Sequence, residues 1–367
     1  MERTDMIKGL FGRRVATLAM IILTTVAGMA QGKEFTLEDL NYGGTNYHNM
    51  SPKNIYTTWW GDKLVRRDAE TCSLINTDNG KETALFGTED INKWAGTDEK
   101  TKIRSLYGVR FPYADKTLVL VNNRKERMLI DFKAGKTVWR QACEGETNAD
   151  WNSVSRAVAF VRDNQLFVTD AAGKTIQLST DGSREIVYGQ AVHRNEFGIT
   201  GGTFWNKEGN RLAFYRMDQS MVTDYPQVNT FTRAAEYEPD KYPMAGMTSH
   251  KVTVGVYDMA SGKTVYLKAG DPTDRYFTNI TWSPDSKTIY MQELNRDQNH
   301  MQLACYNAET GDKTGVIYEE WSDKYVEPAN PLTFLPWDNG KFILQSQRDG
   351  FNHLYLFDTH KRVYPEK

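Results

Sequence analysis

An all-β fold built as a β-propeller is predicted by three observations. A unit of short strands recurs six times along the 367 residues. Each unit opens on an aromatic residue and a polar turn. Most copies then place an Asp or Asn ahead of a Gly-Lys or Gly-Asp-Lys turn before their last strand. Four short strands per unit at intervals of several tens of residues is the pattern of propeller blades. A β-sandwich also gives short strands with regular turns, but it has no reason to repeat one ordered unit.

The first copy runs Tyr56–Trp60, turns at Gly61-Asp62, and continues through Leu74–Lys81. The second opens at Val109–Tyr113 and continues through Leu118–Val121, Leu129–Phe132 and Gly135-Lys136. The third opens on Trp151, with Val158–Val161, Leu166–Asp170 and Gly173-Lys174. The fourth is Trp205–Tyr215, resuming at Val254–Asp258 with Gly262-Lys263. The fifth opens on Trp282, with Ile289–Met291, Leu303–Asn307 and Gly311-Asp312-Lys313. The sixth opens on Phe334, with Phe342–Leu344 and Leu354–Asp358. The leading aromatic is the residue that can pack between blades, and the glycine turns supply the positive φ of tight hairpins.

The leading positions 111, 151, 205, 282 and 334 lie 40, 54, 77 and 52 residues apart. The long interval implies an insertion, Arg216 to Lys251, within the fourth blade. Tyr225-Pro226 and Tyr242-Pro243 favour extended backbone there. Such an excursion sits at a rim, where a partner domain or subunit can meet it.

At the N-terminus, Arg3, Lys8, Arg13 and Arg14 precede the apolar run Val15–Met29, and Gly28 and Ala30 occupy the −3 and −1 positions before Gln31. The run is short for a membrane span, which makes residues 1–30 a predicted signal peptide, with an uncleaved anchor as the alternative. The expected location is exported, periplasmic or outer-membrane-associated. Residues 31–54 read as an N-terminal extension and 55–367 as the propeller. The sixth unit reaches Val363-Tyr364-Pro365 with a poor closing strand, so a truncated propeller with an open sheet edge, prone to association, is also expected.

Formal net charge is only −2, with no basic footprint for nucleic acid. Cys72, Cys143 and Cys305 have no metal-like spacing. They are compatible with one disulfide or with three free thiols. The six histidines are scattered, and no cofactor or metal is implied.

One stretch is not part of the repeat. His193-Arg194-Asn195-Glu196 precedes the fourth blade's leading strand, with Gly198, Gly201 and Gly202 after it. A polar insert on a repeated scaffold is a candidate site. His193 has no Ser or Cys beside it in a nucleophile motif, so an orienting hydrogen bond or a solvated loop position is expected in preference to a general base. Arg216 and Asp218 are expected either to pair in support of the loop or to form a surface ion pair of little energetic consequence.

Several motifs carry a resemblance. The run Gln190–Gly198, followed by Gly202–Trp205 and Leu212–Val222, is similar to the bacterial dipeptidyl peptidase IV and prolyl tripeptidyl peptidase family. So are Tyr242–Gly246, Tyr325–Pro328, Pro331–Pro336 and Gln347–Leu356. The resemblance implies an eight-bladed parent propeller followed by an α/β-hydrolase domain with a Ser-Asp-His triad, releasing di- or tripeptides after proline, commonly as a homodimer. No Gly-x-Ser-x-Gly pentapeptide occurs in this sequence, so no catalytic residue is assigned. By the same resemblance Glu196 binds the α-ammonium of a peptide substrate. Asn195 stands where dipeptidyl members present a second glutamate, leaving the dipeptide and tripeptide registers open. A family arginine that holds a substrate carbonyl maps to Arg124 or Arg127, for each of which a solvated hairpin charge is the competing expectation. A stand-alone propeller that acts as a binding or scaffold protein is the alternative function.

Overall fold

The computed structural model describes residues 34–359 except 51, 53 and 144. The predicted signal peptide and the closing segment at 362–367 lie outside the described residues. The chain forms two compact units, one up to Tyr56 and one from Thr57 onward. In the first, helix α1 (Leu37–Leu40) is followed by α2 (Thr45–Met50). Thr36 caps α1 reciprocally. Its hydroxyl accepts from the Asp39 amide at 3.2 Å, and the Asp39 carboxylate accepts from the Thr36 amide at 2.9 Å.

Among the described residues the second unit holds six antiparallel blade sheets in succession, meanders in chain order except for the fourth, and two two-stranded ribbons. The first blade comprises Tyr56–Trp60, Lys63–Arg67, Thr71–Ile75 and Glu82–Gly87. The second comprises Leu118–Asn122, Glu126–Asp131 and Lys136–Ala142. Its predicted leading strand at 109–113 contributes only the isolated pairing of Arg110 with Leu120. The third comprises Thr147–Trp151, Val158–Arg162, Gln165–Thr169 and Thr175–Gln177. The fifth comprises Arg275–Trp282, Thr288–Asn295, His300–Asn307 and Lys313–Trp321, and the sixth Thr333–Leu335, Asp338–Ser346 and His353–Asp358.

The core explains the sequence pattern. Middle strands such as Val158–Arg162 are apolar without alternation because both their faces are covered. Five clusters of buried side chains each bridge two consecutive blades. Trp60 and Phe86 meet Val119 and Met128; Leu120 and Leu129 meet Trp151 and Phe160. Leu166 meets Phe214, Tyr215 meets Phe277, and Leu303 meets Phe342. A sandwich has one such interface. Blade-to-blade stacking requires one for every neighbouring pair.

The leading aromatics lock these interfaces with polar tips. The Trp60 indole donates to the Lys116 carbonyl at 3.0 Å, Trp205 to Asp150 at 3.0 Å and Trp282 to Phe204 at 2.9 Å, each in an adjoining blade. The Gly-Lys turns are built by the preceding Asp or Asn. The Asp131 carboxylate accepts from the amides of Lys133 and Ala134, and Gly135 follows at φ +66°.

One element departs from the all-strand expectation. Helix α3 (Thr88–Ala95) connects the first and second blades, with Ile91 and Ala95 buried against Phe86 and Leu106. The Asp90 carboxylate accepts from the Gly87 amide at 2.9 Å, and Gly96 ends the helix at φ +65°.

The fourth blade is the irregular one. Arg211–Asp218 pairs with Lys251–Asp258 along its whole length, and Lys263–Tyr266 follows. On its other side, Arg211–Asp218 pairs with two separate pieces, Ile186–Tyr188 and Thr203–Trp205. The leading strand is therefore split, and segment 189–202 leaves the sheet between its halves. The insertion is shorter than predicted, because Arg216–Asp218 and Lys251 belong to the ladder. It holds two short strand pairs, Asp224–Tyr225 with Asp240–Lys241 and Val228–Asn229 with Glu236–Tyr237, and the Phe231 side chain between them is fully exposed.

Candidate functional site

Within segment 189–202 the backbone is held in an uncommon shape. His193, Arg194 and Asn195 take φ of 52°, 58° and 64° in succession. Glu196 returns to extended backbone at φ −67°, and Phe197 and Gly198 are left-handed again at 56° and 72°. For a side-chain-bearing residue this region costs about 1–2 kcal/mol, and it persists only where the surroundings impose it.

Those surroundings can be named. Val192, His193, Phe197 and Ile199 are buried, whereas Arg194, Asn195 and Glu196 are exposed. Phe197 packs on Tyr276 with ring centroids 5.0 Å apart. Arg194 pairs with Asp240 at 2.7 Å and lies over the Tyr242 ring, which ties the loop to the insertion. Gly198 is required twice over: its φ is positive, and a Cβ there would overlap the carbonyl oxygen of Ala329. At Gly202 a Cβ would overlap the backbone of Gln190.

His193 is the loop's internal anchor. Its Nε2 accepts from the Phe277 amide at 3.1 Å, so in the neutral ring the proton sits on Nδ1. That Nδ1–H donates to Nε2 of His250 at 2.7 Å. Burial, together with the neighbouring His250, holds His193 well below the ordinary histidine range. Burial first, then the charges of Arg296 and Arg194, lowers His250 to about 4. Both rings are neutral at pH 7 and serve as structural linkers, so of the two sequence expectations for His193 the structure shows the orienting hydrogen bond and not the solvated loop position.

The outcome is a carboxylate presented by a rigid loop. Glu196 is exposed, and among the described residues its side chain has no hydrogen-bond or ion-pair partner. Asn195 lies beside it, also exposed. Arg124 is exposed in the turn after Leu118–Asn122, in a cleft shared with Lys100, Lys102, Arg104 and Lys125. Arg127 differs from the expected solvated charge. It is 3% exposed, donates to Gln141 at 2.9 Å and forms a buried ion pair with Glu146. No hydrogen bond, ion pair or ring contact among the described residues joins either arginine to the Glu196 loop.

Arg216 and Asp218 do not pair. Arg216 reaches Asp181 at 3.1 Å and the Tyr188 hydroxyl at 2.9 Å. Asp218 is taken by the amide and hydroxyl of Ser220. None of the three cysteines forms a disulfide, and burial pushes the Cys72 thiol up to about 12. Among the described residues no helix is long and apolar enough to cross a membrane.

The packing partner not foreseen from sequence is the segment Glu327–Asn330, although Glu327 and Pro328 fall within the motif Tyr325–Pro328. It lies under the loop through the Gly198–Ala329 contact. The Asn279 amide donates to the Pro328 carbonyl, and Gln292 Nε2 donates to the Asn330 carbonyl at 2.8 Å.

Six stacked blades, with one broken strand that presents an exposed carboxylate on a loop, define the class as a β-propeller module. Residues 114–366 match the family described as the dipeptidyl peptidase IV N-terminal region, and the chain belongs to that family. It is similar to the crystal structure of a Bacteroides ovatus protein described as a dipeptidyl aminopeptidase IV, at 49% identity and TM-score 0.77, over 90% of this chain and 46% of that one. It shares its fold with Porphyromonas gingivalis dipeptidyl peptidase 4, at 21% identity and TM-score 0.68, over 90% of this chain and 48% of that one. An Emericella nidulans protein described as a dipeptidyl-aminopeptidase B is 24% identical over 90% of this chain and 41% of its own length. The chain thus spans less than half the length of these relatives.

Proposed function

We propose that this chain is the substrate-gating, N-terminus-recognising propeller of an exported serine exopeptidase that releases di- or tripeptides after proline. The observation that carries the reading is Glu196: an exposed carboxylate without a partner among the described residues, on a loop held in costly left-handed geometry, in a member of the dipeptidyl peptidase IV N-terminal family. A carboxylate fixed in this way meets a peptide's α-ammonium in a charge-assisted hydrogen bond of about 1.5–3 kcal/mol. Because the loop does not adapt, it sets the distance from the N-terminus to any bond cut elsewhere in the parent enzyme. Asn195 adds a neutral donor and acceptor where a second carboxylate would strengthen the anchor, which keeps both peptide lengths within the proposal. Arg124, exposed and unburdened by a buried pair, is the better of the two arginines for contacting a substrate carbonyl.

The insertion, with Phe231 at its exposed turn, is the surface proposed for homodimer contact. The proposed location is the periplasm or the outer-membrane surface. Calorimetry with a proline-containing peptide, free or acetylated at its N-terminus, tests the reading. Binding that requires the free amine supports it, and equal binding of the two forms contradicts it.

A further inference from the structure

Helix α3 anchors one wall of a cleft of about 720 Å³ beside the second blade. Asn92 on that helix grips the Ile103 backbone twice. Its Nδ2 donates to the Ile103 carbonyl at 2.9 Å, and its Oδ1 accepts from the Ile103 amide at 2.8 Å. Ile103 and Leu106 are buried, so Lys100, Lys102 and Arg104 stand exposed on a fixed segment. The other wall is the turn after Leu118–Asn122. Asn123 Oδ1 accepts from the amides of Lys125 and Glu126, both at 2.8 Å, and the Lys125 carbonyl accepts from the Cys143 amide at 2.8 Å. These bonds fix the backbone that carries Arg124 and Lys125 into the same cleft.

Five cationic side chains thus line one cleft, in a chain whose formal net charge is −2. The carboxylates around it are committed. Glu99 is shared, 3.6 Å from Lys102 and 3.9 Å from Arg104. Asp98 is turned into its own loop, where it accepts from the Lys100 amide at 2.9 Å, the Thr101 amide at 2.8 Å and the Thr101 hydroxyl at 2.7 Å. Glu126 pairs with Arg140 at 3.2 Å, and Glu146 is buried with Arg127. Among the described residues the side chains of Lys100, Arg124 and Lys125 have no hydrogen-bond or ion-pair partner. Like charges held in one place by two anchored segments repel, and a bound anion relieves that repulsion.

We propose that this cleft binds a ligand carrying two or more phosphate groups. The proposal goes beyond the Glu196 anchor and does not depend on it. The arginines bring planar forks that match phosphate oxygens in pairs, and the lysines bring point charges that match phosphate without fixed geometry. Asn123, with its carboxamide oxygen engaged, adds a neutral NH2 donor. A lone carboxylate would leave most of these cations unmatched, whereas clustered phosphates engage several at once. No aromatic side chain lines the cleft, so the stacking surface that a nucleotide base would use is missing. The volume lies within the roughly 300–1,000 Å³ of small-molecule sites. A free polyphosphorylated compound and a phosphate-bearing lipid head group share this chemistry.

The test is calorimetry on the full chain at about 0.15 M salt, with tripolyphosphate and inorganic phosphate as probes. Tripolyphosphate is expected to bind about tenfold tighter than inorganic phosphate, equivalent to about 1.4 kcal/mol. One double variant, Lys100→Gln with Lys125→Gln, removes two exposed charges from the cleft. A second, Lys133→Gln with Lys136→Gln, removes the same charge from an exposed turn outside it. The cleft pair is expected to weaken tripolyphosphate binding about tenfold and the outside pair by less than about twofold, while Lys100→Arg with Lys125→Arg keeps it. Arg124 is left unaltered, because it also serves the substrate-carbonyl reading. Vesicles of phosphatidylglycerol, against phosphatidylcholine, separate the two sources. Vesicle binding that the cleft pair abolishes and tripolyphosphate displaces assigns the site to a lipid head group. Cleft-dependent tripolyphosphate binding with no vesicle binding assigns it to a free ligand. Equal losses in the cleft and outside pairs reduce the effect to net charge and overturn the site. Equal affinity for tripolyphosphate and inorganic phosphate overturns it too, as does the absence of binding to every probe.

Discussion

Acid should loosen the Glu196 loop through one ring pair. His250 is 4% exposed and titrates near 4 in the folded chain, against 6.5 for an ordinary histidine. Between those values the unfolded chain holds a proton that the folded chain does not. Stability therefore falls as pH drops from 6.5 towards 4 and is fully present only above 6.5. The shift corresponds to about 3 kcal/mol for His250 alone, and His193 adds in the same direction. The geometry gives the reason. A proton gained at His250 Nε2 would face the Nδ1–H of His193, and the His193 ring cannot turn away without losing the Phe277 amide. Carboxylates elsewhere also respond to acid, so the reading must be differential. His250→Gln keeps an acceptor for His193 and removes the titration. Melting temperature is measured from pH 7.5 to 4.5 for both proteins. The original chain is expected to lose on the order of 5–10 °C more than the variant. Parallel curves for the two proteins would refute the neutral buried pair.

Other perturbations follow from named contacts. Gly198→Ala must place a methyl group at φ +72° against the Ala329 carbonyl; a loss on the order of 2–4 kcal/mol is expected in denaturant titration. Gly201→Ala, where a Cβ meets nothing within 4 Å, should stay within about 0.5 kcal/mol, and equal effects at the two sites would contradict the packing described. Arg127→Met leaves the Glu146 carboxylate buried without its cation and should cost about 3–5 kcal/mol, part of which returns on adding Glu146→Met. Additive losses in that cycle would show that the pair is not coupled. Thiol labelling of the native chain should proceed first at Cys143, which is half-buried, while the buried Cys72 and Cys305 stay protected until unfolding. Uniform labelling rates would be inconsistent with this burial.

The blade repeat was legible because each copy carries the same local chemistry. A leading aromatic whose ring and polar tip meet an adjoining blade, and an Asp or Asn that builds its own turn, are properties of a few neighbouring residues. The Glu196 loop was legible by contrast, as the one polar run that the repeat did not explain. Helix α3 escaped notice because it spans little more than two turns. Its markers, the Asp90 carboxylate on the Gly87 amide and the left-handed Gly96, are short-range signals that a closer reading of 87–96 could have used. Arg216 and Asp218 share a strand face, yet the Ser220 amide and hydroxyl capture Asp218 locally, and Arg216 turns to Asp181 across the blade. Arg127 looked like a hairpin charge because its partner Glu146 comes from beyond the next strand. The placement of Ala329 against Gly198 joins segments from different blades, and no local pattern encodes it.

The central claim is that Glu196 holds a peptide amine, and a double-mutant cycle tests it most directly. One arm changes Glu196→Gln; the other acetylates the N-terminus of a proline-containing peptide. Calorimetry gives the four affinities. If the carboxylate and the ammonium meet, either change alone weakens binding by about 10- to 100-fold, and the second change adds little to the first. If the two changes are additive, or if Glu196→Gln leaves the preference for a free amine intact, the amine is held elsewhere and the account is wrong.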